Sequence, residues 1–467
     1  MHSLASKTIK SSAEMGKNMK YYYTDANVRM EERNVAFEVE GMKEFSQVKV
    51  YPEEEYQEML GFGGAFTESA AYVYSKMGEE SKQKLIDLYF GENGNQYNLC
   101  RTHIQSCDFS LDNYEYVSEQ EDKDLNSFSI SRDEKYLIPL IKSAQLKNPK
   151  LSLLASPWSP PAFMKSNHNR NHGGKLLQEY RSSWAKLIAM YLTEYRKCGI
   201  YIDRITVQNE PAVAQTWDSC VYSAEEESIF AAKFLKPELL KQGLDDVKIL
   251  IWDHNKDQIV ERIRESLSVK HVVNEISGIS FHWYTGDHFE ALRWVHETYP
   301  DKELIFTEGC VEYSRFADKG QTENAEMYAH DMIGNIHSGM NGYIDWNIYL
   351  NKKGGPNHVG NFCDAPIICN IEEDSIDIKL SYYYIGHFSR FVKKNAKKIL
   401  TSSFTSDLEC CGFKNPDGSV VVVVMNSSDK DITYNLSIKS KNACVKQEKH
   451  SIITFIYDFI YNFSHCK

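Results

Sequence analysis

The sequence has no run of about 18 apolar residues, the length that crosses a bilayer as a helix. Its richest stretch, 451–463, is interrupted by Thr454, Asp458 and Asn462, so no integral membrane segment is expected. Positive charge is also scarce: 53 Lys and Arg stand against 65 Asp and Glu, a formal net charge of −12. Such a surface repels phosphate backbones instead of releasing their counterions, which excludes nucleic acid as the expected partner. Cysteine pairs at metal spacing are missing. None of the 11 cysteines precedes Cys100, and no Cys-x-x-Cys occurs, so neither a disulfide framework nor a zinc ribbon is indicated. Unpaired thiols, and a start at 1–7 without the charged-then-apolar profile of a signal peptide, lead to the expectation of a cytoplasmic protein. Secretion is the alternative if a leader has been removed, and the sequons at Asn426, Asn435 and Asn462 point weakly that way. Repeats of 20–50 residues and low-complexity tracts are absent too.

What is present is a chain of 467 residues, 42% hydrophobic and 12% aromatic, enough for a large core and for two or three domains. Between residues 20 and 56 apolar and polar residues alternate, with Val35, Phe37 and Val39 on one face and Val48 and Val50 repeating the pattern; these read as strands. From Gly61 the texture changes. Eight short apolar runs follow, at 61–66, 97–104, 151–158, 204–208, 247–252, 279–284, 304–307 and 342–346, most of them separated by helix-like segments. The clearest helix is 176–197, where Tyr180, Trp184, Leu187, Ile188, Tyr191, Leu192 and Tyr195 recur at three-to-four spacing before Gly199; this stripe reads as core packing. Consecutive parallel strands need crossover helices, so the pattern predicts a (β/α)8 barrel. Strand texture returns after about residue 395, in Val420–Val424 and 451–461. The expected fold class is α/β, a TIM barrel at 57–392 with an appended β-sandwich built from both chain ends, 1–56 and 393–467.

Barrel enzymes carry their reactive groups where the strands end. Two ends here are carboxylates: the fourth run delivers Asn209-Glu210-Pro211 and the seventh delivers Glu308-Gly309. Their separation is about three βα units of roughly 30 residues, consistent with strands four and seven. Two converging carboxylates are what glycoside hydrolysis requires, one protonating the departing oxygen while the other attacks the sugar or activates water. An ionised partner also raises the pKa of its neighbour, so one can stay protonated while the other is charged. Trp158 and Trp346 offer flat apolar faces to a sugar ring, and Asp108, Asn209, His282 and Tyr284 offer hydrogen bonds to hydroxyls. No metal or other cofactor is expected. His168 and His172 lie four apart in a polar stretch, Asp253-His254 ends the fifth run, and no His-Glu-x-x-His occurs. Gly61-Phe62-Gly63-Gly64 lacks the last glycine of a dinucleotide fingerprint, since Phe66 stands there, and reads as close backbone packing. Cys107, Cys220 and Cys310 lie near the expected barrel mouth without a paired base.

At these residues the chain resembles glycoside hydrolase family 30, and within it the glucosylceramidase branch. The matching motifs include Gly61-Phe62-Gly63-Gly64-Ala65-Phe66-Thr67, Ser106-Cys107-Asp108-Phe109-Ser110, Ala155-Ser156-Pro157-Trp158, Asn209-Glu210-Pro211, His282-Trp283-Tyr284, Glu308-Gly309-Cys310-Val311, Asp345-Trp346-Asn347 and Gly354-Gly355-Pro356-Asn357. The resemblance runs from about residue 57 to 428. It implies a retaining β-glycosidase acting on terminal β-D-glucosides or a glycolipid, with Glu308 as nucleophile and Glu210 as acid/base. Asn209 would bond the sugar 2-hydroxyl, Asp108, Trp158, Trp346 and Asn361 would hold the other hydroxyls, and Arg101, His282 and Tyr284 would support the nucleophile. His358 stands where the lysosomal members have an aromatic residue, and Asn255 replaces a longer amide. The alternatives are β-xylosidase, β-fucosidase or endo-β-1,6-glucanase activity on the same glutamates, or a non-catalytic carbohydrate-binding barrel.

Overall fold

The computed structural model describes residues 18–37, 46–118, 122–316 and 318–458. The start at 1–7, Glu38 and Val39 of the first alternating stretch, and the sequon at Asn462 lie outside them. The chain divides into two units, Leu60–Tyr382 and a second made of the residues up to Met59 with those from Tyr383 onward. Three strands lead in: β1 (Asn18–Thr24), β2 (Glu31–Ala36) and β3 (Gln47–Glu58).

Eight strands then build the first unit: β4 (Gly61–Phe66), β5 (Leu99–Ile104), β6 (Ser152–Pro157), β7 (Arg204–Thr206), β8 (Lys248–Asn255), β9 (Gly278–His282), β10 (Glu303–Glu308) and β11 (Gly342–Asn347). They close into a parallel barrel in sequence order, with β11 returning to β4. Every residue of β4, β5, β6 and β11 is buried, as parallel strands covered on both faces must be. Leu99, Leu154, Leu250, Ile305 and Ile344 form one packed apolar layer inside, so the barrel interior is solid below its mouth. Glycine in β4 has a steric reason: a Cβ on Gly63 would lie 1.7 Å from the Leu99 carbonyl oxygen of the neighbouring strand. The helix expected at 176–197 begins as a 3₁₀ turn, Gln178–Tyr180, and becomes α-helical over Arg181–Lys197. Trp184, Leu187, Ile188, Tyr191, Leu192 and Tyr195 are buried along it, and Gly199 ends it at φ +76°.

Two strand ends depart from the expected runs. β7 stops at Thr206 and the chain reaches Glu210 in a left-handed conformation, φ +48°. β8 continues to Asn255 through a register shift between Trp252 and His254, with Trp252 at φ +76° and Asp253 at φ +49°. A shift of this kind re-aims side chains at a barrel rim. A small sheet of β12 (Leu350–Asn351), β13 (Ile367–Asn370) and β14 (Ser375–Ile378) follows the barrel.

The second unit adds β15 (Lys397–Ser403), β16 (Leu408–Lys414), β17 (Val420–Asn426), β18 (Ile432–Ile438), β19 (Lys441–Gln447) and β20 (Ser451–Tyr457). Nine strands share one hydrogen-bonded sheet in the order β19-β18-β3-β15-β16-β17-β20-β1-β2. Strands from both ends of the chain therefore interleave, as in the pairing of β1 with β20 and of β3 with β15. The sheet folds over a core containing Tyr23, Val48, Val50, Val420, Val422, Val424, Leu436, Ile453 and Phe455, which makes it a sandwich. Its last strand covers Ser451–Tyr457 of the expected 451–461, and the residues beyond Asp458 are outside those described.

Candidate active site

The rims of β5, β6, β7, β9, β10 and β11 meet at one pocket. It is lined by Asp108, Trp158, Asn209, Glu210, Tyr284, Glu308, Trp346 and Asn361, eight of the residues singled out in the sequence, together with Gln215, Trp217 and others. Glu308, the last residue of β10, accepts a hydrogen bond at Oε2 from Arg101 Nη1 at 2.7 Å and one at Oε1 from the Tyr284 hydroxyl at 3.0 Å. Glu210 is held differently. Gln215 Nε2 donates to its Oε2 at 2.8 Å, while His282 Nδ1 and His254 Nδ1 stand 3.6 and 3.7 Å from its Oε1.

Behind both carboxylates lies a fully buried scaffold. Arg101 on β5 donates to Glu308, to Asn209 Oδ1 and Asp253 Oδ2 at 2.8 Å each, and to Ser156 Oγ at 3.0 Å. Its guanidinium packs over the rings of Trp158 and Trp346, 4.8 and 5.4 Å from the centroids. Those two indoles stack on each other at 5.3 Å. Asp253 accepts from Arg101, from the Thr206, Ser156 and Thr307 hydroxyls, and pairs with His282 Nε2 at 3.1 Å. Burial alone would raise its pKa, but Arg101 and His282 outweigh burial and hold the carboxyl well below the usual range. Burial likewise works against protonation of His282, yet the charges of Glu308, Asp253 and Glu210 lift it to about 9.

The two pocket glutamates feel each other. Burial, with a contribution from the Glu210 charge, raises Glu308 against the pull of His282 and Arg101. Burial opposes ionisation of Glu210 as well, but His282, His254 and Gln215 hold it down to about 2. Protons on such a pair belong to both groups, not to either alone. Asp108 is raised well above the usual range by burial and by the charges of Glu308 and Glu210.

Arg101 and His282 do not line the pocket. Arg101 touches Glu308, whereas His282 stands beside Glu210 and Asp253. Sequence reasoning missed Gln215, Trp217 and Glu312, and Arg315 of the short helix Tyr313–Phe316, which also line the pocket, and considered Asp253 only as a metal ligand. Asp253 had a signal, an acid at the end of the fifth run. His358 is not among the lining residues and bonds the Ser110 carbonyl at 3.2 Å.

Comparison with known proteins agrees with this geometry. The model of the glycosyl hydrolase family 30 TIM-barrel domain matches residues 59–392, and that of the family 30 β-sandwich domain matches 395–455. The lysosomal acid glucosylceramidase of Mus musculus is 33% identical over 404 residues, 83% of this chain and 78% of that enzyme. The crystal structure of SrfJ from Salmonella typhimurium superposes with a TM-score of 0.92 at 42% identity, covering 94% of this chain and 99% of that one. The endo-β1,6-glucanase BT3312 gives a TM-score of 0.84 at 26% identity, over 95% and 99% of the two chains. One expectation is overturned here: the cytoplasmic assignment fails against a mouse relative that is lysosomal by name. Its physical basis was unsound, because thiols such as Cys100, Cys107, Cys220 and Cys411 are free and buried, and a sequestered thiol carries no record of the redox compartment. No described helix is long and apolar enough to cross a membrane. With both domain models matched and the two carboxylates lining one pocket at the barrel mouth, the chain belongs to glycoside hydrolase family 30 and is a β-glycosidase.

Proposed function

We propose that the chain hydrolyses terminal β-D-glucosides with retention of anomeric configuration, Glu308 attacking the sugar carbon and Glu210 serving as acid, then base. The observation that carries this is the asymmetry of the two carboxylates in a shared pocket. Glu308 has a donor on each oxygen, one of them the permanently charged Arg101; such bonds orient a carboxylate and stabilise its charge. Glu210 keeps Oε1 free of any bond within hydrogen-bonding distance, so that oxygen can carry a proton to the departing group.

In the first step the Glu308 carboxylate forms a bond to C1 as the glycosidic oxygen leaves with the proton of Glu210. In the second, Glu210 takes a proton from water as that water displaces Glu308. Cleavage therefore needs the shared proton on Glu210 and the charge on Glu308. Substrate favours that distribution: Glu308 keeps Arg101 and Tyr284, while the glycosidic oxygen gives the Glu210 proton an acceptor. Asn209, whose Oδ1 is taken by Arg101, has its amide NH₂ for the 2-hydroxyl. Asp108, whose pKa is raised by burial and by the charges of Glu308 and Glu210, can donate to a hydroxyl when it holds its proton and accept when it does not.

A glucosylceramide-like lipid is the favoured substrate, on the likeness to the mouse glucosylceramidase. A second reading, cleavage within β-1,6-glucan, has the likeness to BT3312 and to the Neurospora crassa endo-1,6-β-D-glucanase in its favour. Proton NMR of the first-formed product from an aryl β-glucoside tests the mechanism: β-glucose is expected first, and α-glucose would overturn retention. Parallel assays on glucosylceramide in detergent, on β-1,6-glucan and on aryl xylosides and fucosides test the substrate. Turnover of β-1,6-glucan above glucosylceramide would replace the first reading with the second.

A further inference from the structure

Three atoms beside the pocket point at one another without bonding. His254 Nδ1 and His282 Nδ1 are buried and have no hydrogen-bond partner. Both face Glu210 Oε1, at 3.7 and 3.6 Å, and the three side chains offer ligand atoms that all lie within 4.8 Å of one another. These separations are too long for hydrogen bonds. They suit atoms that share a metal ion instead: ligands about 2.0–2.1 Å from a tetrahedral zinc lie roughly 3.4 Å apart. A shift of a few tenths of an ångström would bring each histidine nitrogen to that distance from Oε1.

The surroundings complete the set. Asp253 Oδ1 accepts from His282 Nε2 at 3.1 Å, so the ring proton that a metal displaces is the one on Nδ1; a carboxylate behind an imidazole is the usual backing of a zinc-bound histidine. Gln215 occupies the other oxygen of Glu210 at 2.8 Å, leaving Oε1 as the single ligating atom. Glu210 lines the pocket, so an ion can reach the three groups from that side. Two imidazoles and one carboxylate match zinc better than magnesium or calcium, which take oxygen ligands.

We propose that Glu210, His254 and His282 bind one zinc-class divalent ion at the barrel mouth. The ion replaces any proton held among the three groups and releases it to solvent. On the reading of Glu210 given above, it also removes the oxygen that delivers the proton, so zinc inhibits. The sequence hid the site because its ligands come from three strand ends and share no spacing signature.

The test is equilibrium dialysis of the full chain against Zn²⁺, with Co²⁺ as the spectroscopic probe, on the native protein and on Glu210→Gln and His254→Gln. One ion per chain and the intense visible absorption of four-coordinate cobalt are expected. Each variant should bind roughly tenfold more weakly or worse, since losing even the group behind a zinc ligand costs about 10–100-fold. Thermal melts identify a variant that fails to fold, and the near-isosteric Glu210→Gln keeps the test open if His254→Gln does fail. No binding at millimolar zinc, or binding unchanged in both variants, overturns the site. Inhibition that tracks occupancy supports the role of Glu210 as well; binding with undiminished turnover keeps the site and overturns that role.

Discussion

At the scale of single residues, the pocket is organised by Arg101. One guanidinium joins Glu308, Asn209, Asp253 and Ser156, so the position of the Glu308 carboxylate depends on groups from β5, β6, β8 and β10. Glu210 is held more loosely, and its proposed task gives a separable prediction. In Glu210→Ala the first step loses its acid, so substrates with poor leaving groups should slow by about 10²–10⁴-fold while activated aryl glucosides lose far less. Azide should restore turnover of the activated substrates by taking the place of the base-assisted water. Equal loss across leaving groups, with no azide effect, would show that another group donates the proton. Both glutamates were legible because each closes an apolar run, and barrel strands end at the mouth. Asp253 and His254 were legible only as the end of the fifth run; left-handed backbone at Trp252 and Asp253, with the register shift beside them, decides where they point, and no local pattern encodes that.

At the scale of elements, His387 shows how a buried side chain ties a helix to a sheet within one unit. It lies in the helix Leu380–Ser389, and its Nδ1 and Nε2 are each 2.8 Å from the hydroxyls of Thr454 on β20 and Thr24 on β1. The Thr454 hydroxyl donates to the His387 carbonyl, so it accepts from Nδ1–H. Nε2 then accepts from the Thr24 hydroxyl. Burial, aided by Arg390, drops the pKa of the ring to about 3 from 6.5. Between these values the unfolded chain takes a proton that the folded one refuses. Stability is thus complete above about pH 6.5 and declines as pH falls toward 3, by at most about 1.4 kcal/mol per pH unit from this group. Denaturant unfolding of the native protein and of His387→Gln across that range checks it: the variant should show a flatter pH dependence, and an identical slope would remove His387 as the cause. Of the elements themselves, the eight barrel strands were visible as apolar runs. The two- to four-residue strands β12–β14 were not, being too short to establish a period.

At the scale of the whole molecule, the chain carries ten free cysteines among its described residues, and none of its described stability rests on a disulfide. Reducing agent should leave the melting temperature unchanged. Brief alkylation of the native protein should label the part-exposed Cys198 and Cys444 before the buried Cys100, Cys220 and Cys411. A melting temperature that fell on reduction would expose a bridge this account lacks. The division of the chain is legible for a physical reason: alternating strands at both ends pair only with each other, while the apolar runs between them need helices to connect them in parallel. The pairing of β1 with β20 and of β3 with β15 joins segments hundreds of residues apart, and no local pattern specifies which strand neighbours which.

The central claim, that Glu308 forms a bond to the sugar, has a direct chemical test. A 2-deoxy-2-fluoro-β-glucoside with an activated leaving group slows the second displacement more than the first, so the covalent intermediate accumulates. After incubation, peptide mass spectrometry should find one fluoroglucosyl group per chain, on the peptide that contains Glu308. A label on Glu210, or steady turnover with no adduct on either glutamate, would contradict the account.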